Sequence, residues 1–334
     1  MEMKTEPLIE EYRNGLLECI HCGTICVVDK NGILASIGDT EWISYYRSAS
    51  KGIQVLPLIE RRLEQKYGLT PQETAIFSGS HWGDYEHIHA LESIMEKTGL
   101  KEKDMIMNPT YPQRISVRNE LIQEGKEPRK IYHNCSGKHL GMMLLTRELG
   151  LPVEDYWKRG TKTQEEILKT ISEMTDVPKE DIKVGVDGCG VPVYAVPFRT
   201  IAVSYMRLAN PELIKNDKLA EAVERNTRYI HTYPNMIAGR DIVCSILCSD
   251  ENLIAKSGAL GIYVMGIKSL GLGVVCKTMD GSHDEFEQCA LHILKQLGYR
   301  SVATELLAKL YPNTIVNDNL EVVGEKKVVF QLHH

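Results

Sequence analysis

A chain of 334 residues with an apolar fraction of 43% is long enough for a sizeable core and too apolar to be disordered. Its 45 acidic and 39 basic residues give a net charge of -6 and form no basic stripe, which excludes a phosphate-neutralising nucleic-acid surface. No apolar run reaches the roughly 18 residues of a membrane span, the acidic start MEMKTEPLIEEYRNG lacks a signal-peptide layout, and nine scattered cysteines form no disulfide framework, so the expected setting is the reducing cytoplasm with no membrane partner.

In chain order, TICVVDKNGILASI at 24–37 clusters β-branched residues around Asn31-Gly32 and predicts a two-stranded hairpin. From Ser48 the spacing of Ile53, Leu56, Ile59 and Leu63 predicts a helix, reset at Pro57. Further helices are predicted in DYEHIHALESIMEKTG, GKHLGMMLLTRELG, TQEEILKTISEMT and DKLAEAVERNTRYIHT. After residue 250, short β-rich runs alternate with glycine-containing turns, followed by the helix EFEQCALHILKQLG and a last strand in KKVVFQL. The expected fold class is mixed α and β: an antiparallel sheet built from N- and C-terminal strands, flanked by helices, with an inserted mostly helical part. A single domain over 1–334 is expected, its sheet part roughly 1–60 and 235–334 and its helical part roughly 61–234.

Ser48 and Lys51, in YYRSASK, lie three residues apart and share one face of a helix. A serine hydroxyl becomes a nucleophile only when a base takes its proton, and a lysine serves if desolvation or a nearby cation disfavours its charge. The plainer alternative is a helix-capping serine beside a surface lysine. Lys256-Ser257-Gly258 adds a K-[ST]-G triplet between two apolar runs, as penicillin-recognising serine enzymes pair with S-x-x-K, and FSGSHWGD offers Ser78 and Ser80 as a further hydroxyl element.

In HNCSGKHLG, Cys135, Lys138 and His139 fall at i, i+3 and i+4, while Cys189 in VDGCGVP stands between two glycines in a tight turn. Two thiols with His139 or a neutral Lys138 suit an open zinc site; two buried cysteines packing as small hydrophobes is the alternative. CIHC at 19–22 is a C-x-x-C without the second half a structural metal site needs. Cys244 and Cys248 share a helix face and read as core, and GLGVV at 271–275 lacks the third glycine and following helix of a phosphate cradle.

Taken together and in this order, YRSASKGIQVLP, SGSHWGDYEH, HNCSGKHLGMML, DGCGVPVYAVP and AKSGALG resemble the asparaginase II family, the rhizobial-type or class 3 L-asparaginases. The resemblance spans nearly the whole chain and implies a fold like that of serine β-lactamases and penicillin-binding proteins. It also implies hydrolysis of L-asparagine to aspartate and ammonia by a homodimer. Carried over by position, it implies two Ser/Lys tandems, Ser48 with Lys51 and Ser80 with Lys256, with Ser48 the expected nucleophile. It further implies one zinc per chain on Cys135, Lys138 and Cys189. Arg47, His139 and Asp187 are expected substrate contacts, Arg47 for the carboxylate and Asp187 for the ammonium. The chain departs from the family pattern at Gly52, where proline is usual, at Asp84, where glutamate is usual, and at Leu260, within GALG rather than GAEG. Two alternatives are another serine acyl-transferase of the penicillin-recognising fold and a zinc-dependent amino-acid-binding paralogue without turnover.

Overall fold

The computed structural model describes residues 4–333. In chain order its strands are β1 (Glu6–Arg13), β2 (Leu16–Asp29), β3 (Gly32–Ile37), β4 (Ile43–Tyr45), β5 (Lys183–Val186), β6 (Pro192–Pro197), β7 (Leu253–Gly258), β8 (Ile262–Ile267), β9 (Leu272–Thr278), β10 (Thr314–Val316) and β11 (Val322–Val328). The chain divides into a strand-rich unit, made of the segment up to Ala49, Pro197–Asn210 and the segment from Asp250 on, and a helical unit, Ser50–Val196 with Pro211–Ser249.

In the strand-rich unit the sheet runs β10-β11-β1-β2-β9-β8-β7, with β3 also on β2. Its pairings are antiparallel, so the N-terminal strands β1 and β2 lie between strands from the C-terminal end, as the expected fold class requires. The predicted hairpin forms, but Asp29 pairs with Gly32 and the two loop residues are Lys30 and Asn31. The Asp29 carboxylate sets that turn by accepting from the Asn31 and Gly32 amides at 2.7 and 3.1 Å.

The helix Phe198–Ala209 packs on β2, β8 and β9. It comes this close because a Cβ on Gly266 or Gly273 would strike the carbonyls of Tyr205 and Ala202. That is the structural use of the glycine in GLGVV. This helix was absent from the sequence reading, since TIAVSYM is rich in β-formers, and it groups with the sheet although the predicted boundary put it in the helical part. On the opposite face, the helix Phe286–Gln296 sets Phe286 against Tyr263 at 5.3 Å between ring centroids.

The centre of the helical unit is the helix Ser136–Glu148, buried at every position from Ser136 to Thr146. The helices Leu56–Glu60, Tyr85–Thr98 and Lys162–Thr175 pack against it. Gly137 and Gly141 leave room for the segment Ile76–Ser78, which leads directly into Gly79 and Ser80. The helix predicted from Ser48 is not continuous. A 3-10 turn, Arg47–Ser50, is followed by helical pieces Lys51–Gln54, Leu56–Glu60 and Leu63–Lys66. Pro57 has no N–H to extend the first piece, and Arg62, at a φ of +53°, ends the second.

Candidate active site

Lys51 lies at the start of the piece Lys51–Gln54 and is fully buried in the helical unit. Its Nζ is 2.7 Å from the Gly79 carbonyl, 3.3 Å from the Asn134 carbonyl and 2.8 Å from Ser80 Oγ. Carbonyls only accept, so they orient two N–H bonds of the amine in either protonation state. A neutral Lys51 then keeps a lone pair for a serine proton, and Ser80 Oγ is within reach. Ser80 is held by its own backbone, its amide donating to the Ile237 carbonyl at 2.8 Å while Trp82 N donates to Ala238 O at 2.8 Å. The sequence reading had paired Ser80 with Lys256; the bond to Lys51 was not foreseen.

His81 was missed, although its place beside Ser80 in GSHWGD marked it. Its fully buried ring bonds Ser136 Oγ through Nε2 at 2.7 Å, and Ser136 Oγ donates to the Ile131 carbonyl at 2.9 Å. Nε2 therefore donates to Ser136. Burial and the neighbouring His87 depress the His81 pKa well below its ordinary value, so the ring is neutral.

Cys135, Lys138, Asp187 and Cys189 form a second group in the same unit. The segment 187–191 is a hairpin tip between β5 and β6: Asp187 N bonds Val191 O at 2.8 Å, Gly190 N bonds Asp187 O at 2.9 Å, and Gly190 takes a φ of +92°. This is the tight turn expected for Cys189. A hydrogen bond from Cys189 is the main reason that the Cys135 thiol sits well below its ordinary pKa, with Lys138 adding positive charge, while the same sharing pushes Cys189 up. Burial opposes the Lys138 ammonium, but Cys135, Cys189 and Asp187 outweigh it and hold its pKa above the usual value. Asp187 Oδ2 accepts from Lys138 Nζ at 3.1 Å, so the residue expected to meet a substrate ammonium neutralises this lysine. Two buried thiols and an amine are donor types that zinc takes, once the thiols and the Lys138 ammonium have lost their protons.

His139 follows on the same helix. Ile106 N donates to Tyr156 Oη at 2.8 Å, which leaves the phenol proton for His139 Nδ1 at 2.6 Å. The imidazole proton is then on Nε2, which is buried and has no hydrogen-bond partner among the described residues. Burial, helped by the Lys138 charge, keeps this ring neutral.

In the strand-rich unit, Ser48 is half-buried on the turn Arg47–Ser50, directly after Arg47 at a φ of +50°. A non-glycine residue in that region is strained and is held there by its surroundings. Tyr205 Oη donates to Ala49 O at 2.7 Å, and Tyr46 Oη donates to Ser204 Oγ at 2.8 Å. Gly258 of β7 admits the turn, since a Cβ there would lie 2.7 Å from Tyr46 O and 3.2 Å from Ala49 N. Lys256, two residues earlier on the same face of β7, is buried and donates to the Ser257 carbonyl at 3.0 Å. The K-S-G glycine thus brings the S-x-x-K turn against this strand.

The departures have local settings. A Cβ on Gly52 would meet nothing within 4 Å, so glycine is not sterically required there. Asp84 is paired with Arg114 at 2.6 Å, and Leu260, at a φ of +61°, is exposed at the β7–β8 turn with its carbonyl bonded by Lys277. No helix among the described residues is long and apolar enough to cross a membrane.

Residues 9–328 match the family model of L-asparaginase II. The chain belongs to the L-asparaginase II family. Membership makes it an amidohydrolase. No curated protein matches the sequence. Among solved structures, this asparaginase II chain is similar to a β-lactamase from Mycobacterium bovis, at 13% identity and a TM-score of 0.41, with 82% of this chain and 94% of the other covered. It is also similar to a class C β-lactamase at 14% identity and a TM-score of 0.44, covering 84% and 92%. A probable glutaminase from Bacillus subtilis complexed with 6-diazo-5-oxo-L-norleucine matches at 16% identity and a TM-score of 0.33, covering 86% and 83%.

Proposed function

We propose that the chain hydrolyses L-asparagine to aspartate and ammonia through a serine acyl-enzyme. The observation that carries this reading is the buried Lys51 amine 2.8 Å from Ser80 Oγ, with two carbonyls orienting it. In the proposed reaction Ser48 attacks the side-chain amide carbon of asparagine. Its proton passes through Ser80 to Lys51 and on to the departing ammonia, and water then cleaves the ester to aspartate. Lys256 supplies positive charge, and the Nε2–H of His139 is a buried donor for a substrate oxygen. Cys135, Lys138 and Cys189 would hold zinc, whose chemistry there is to orient the substrate and raise its affinity. Arg47 is proposed for the substrate carboxylate, as the family resemblance implies.

The direct Lys51–Ser80 bond favours a second reading in which Ser80 attacks and Ser48 assists. Ammonia and aspartate release by wild type, S48A and S80A, combined with mass spectrometry of the acid-quenched acyl-enzyme, separates the two. The expected result is an adduct on the peptide containing Ser48 and a loss of at least a hundredfold in kcat for S48A. An adduct on Ser80 reverses the roles. Tight asparagine binding with no ammonia from the wild type rejects the amidase.

A further inference from the structure

The C-x-x-C segment has no part in the catalytic reading, yet its first half faces a built cluster in the strand-rich unit. Alternation along β2 puts Cys19 and His21 on one face and Cys22 on the other. Strand pairing sets Glu11 of β1 opposite Cys19 and Lys326 of β11 opposite Glu11. Glu285 enters from the N-terminus of the helix Phe286–Gln296.

His21 Nδ1 lies 2.5 Å from Asp280 Oδ2. A carboxylate only accepts, so Nδ1 carries the proton and a neutral ring presents the lone pair of Nε2 to the cluster. From Nε2 the distances are 3.4 Å to Glu285 Oε1, 3.6 Å to Cys19 Sγ and 3.7 Å to Glu11 Oε1. Zinc bonds to such donors of about 2.0–2.3 Å make tetrahedron edges of about 3.3–3.8 Å. The ligand atoms of Glu11, His21 and Glu285 all lie within 4.8 Å of one another. Glu285 is only 1% exposed, and its Oε2 accepts no hydrogen bond among the described residues. The one ammonium at the cluster among the described residues, Lys326 Nζ, is bound at 3.0 Å to Glu11 Oε1 and at 3.2 Å to Glu285 Oε1. Three carboxylates, Glu11, Asp280 and Glu285, therefore face one lysine, a negative excess that a divalent cation would offset.

We propose that Glu11, His21 and Glu285 form a zinc site separate from the catalytic residues, with Cys19 beside His21 but outside the ligand set and Asp280 fixing the His21 tautomer as the carboxylate behind the ligand. One imidazole nitrogen and two carboxylates suit zinc, and the ion would tie these elements together, with Lys326 as a built-in competitor.

The test uses full-length protein stripped of metal and titrated with Zn2+ alone, followed by calorimetry and elemental analysis. C135S/C189S is expected to bind one equivalent. Adding H21A should weaken that binding at least a hundredfold, and adding K326M should strengthen it about tenfold. If C135S/C189S does not fold, the wild type should bind two equivalents and H21A one. A folded C135S/C189S chain that binds no zinc, or a titration unchanged by H21A, overturns the proposal and leaves a network of polar contacts around His21.

Discussion

Lys51 bonds two carbonyls as well as Ser80, so its removal and that of Ser80 should differ in kind. K51M takes a donor from the buried Gly79 carbonyl and the part-buried Asn134 carbonyl, at about 1–3 kcal/mol for a buried group left unsatisfied, whereas S80A removes a single hydroxyl. Both variants should lose amidase activity by at least a hundredfold, but only K51M should lower the urea midpoint clearly. Equal midpoints would show that the carbonyls find other donors. His81 adds a pH dependence of stability. Its folded pKa lies below the unfolded value, so below about pH 6.5 the unfolded chain binds a proton that the folded chain does not. Stability from this residue is present above that pH and is lost as pH falls. H81Q retains a donor for Ser136 without the titrating ring, and its urea midpoint should fall less than that of the wild type between pH 7.5 and 5.5.

Two glycines on the sheet separate packing from catalysis. In Gly273→Ala the new methyl meets the Ala202 carbonyl, so the helix Phe198–Ala209 must lift and stability should fall by about 1–3 kcal/mol. In Gly258→Ala the methyl meets Tyr46 O and Ala49 N, so the turn that carries Ser48 moves. The expected outcome is that G258A loses at least tenfold in kcat at temperatures where both variants remain folded, while G273A retains its kcat. Steady-state kinetics beside thermal melts check this, and an unchanged kcat in G258A would remove the turn from the mechanism. Elements of this kind were unevenly legible. Strong 3.6-residue periodicity revealed the helices at 85–98, 136–148, 162–175 and 217–232, but β-branched residues concealed the helix at 198–209, where packing on a sheet overrides local preference. The S-x-x-K and K-S-G elements were likewise readable. The Lys51–Ser80 bond was not, because the carbonyls of Gly79 and Asn134 that aim Lys51 leave no mark in the residue types.

At the scale of the chain, strands at both ends already implied a sheet joining the termini, whereas its order was hidden because strand pairing depends on contacts across hundreds of residues. The order has a testable consequence. β1 pairs with β11 from Ile9 to Arg13, opposite Val328 to Gly324, and Phe330 and Leu332 are buried beyond that strand. A chain ending at Tyr311 would therefore lack β10 and β11, expose the β1 edge and lose the apolar cover those two side chains provide. It would also lose Lys326 from beside Glu11 and Glu285, leaving a half-buried and a buried carboxylate without their ammonium. The truncated chain should be recovered mainly as aggregate, and any soluble fraction should show no cooperative urea transition. If instead it unfolds cooperatively with a midpoint close to that of the full chain, the closing strands contribute little and β1 and β2 are held by the pairing of β2 with β3 and β9. Hydrogen exchange on the β1 amides distinguishes these outcomes directly, since the amides that bond β11 should exchange rapidly after truncation while those bonding β2 exchange slowly only if the remaining sheet is folded.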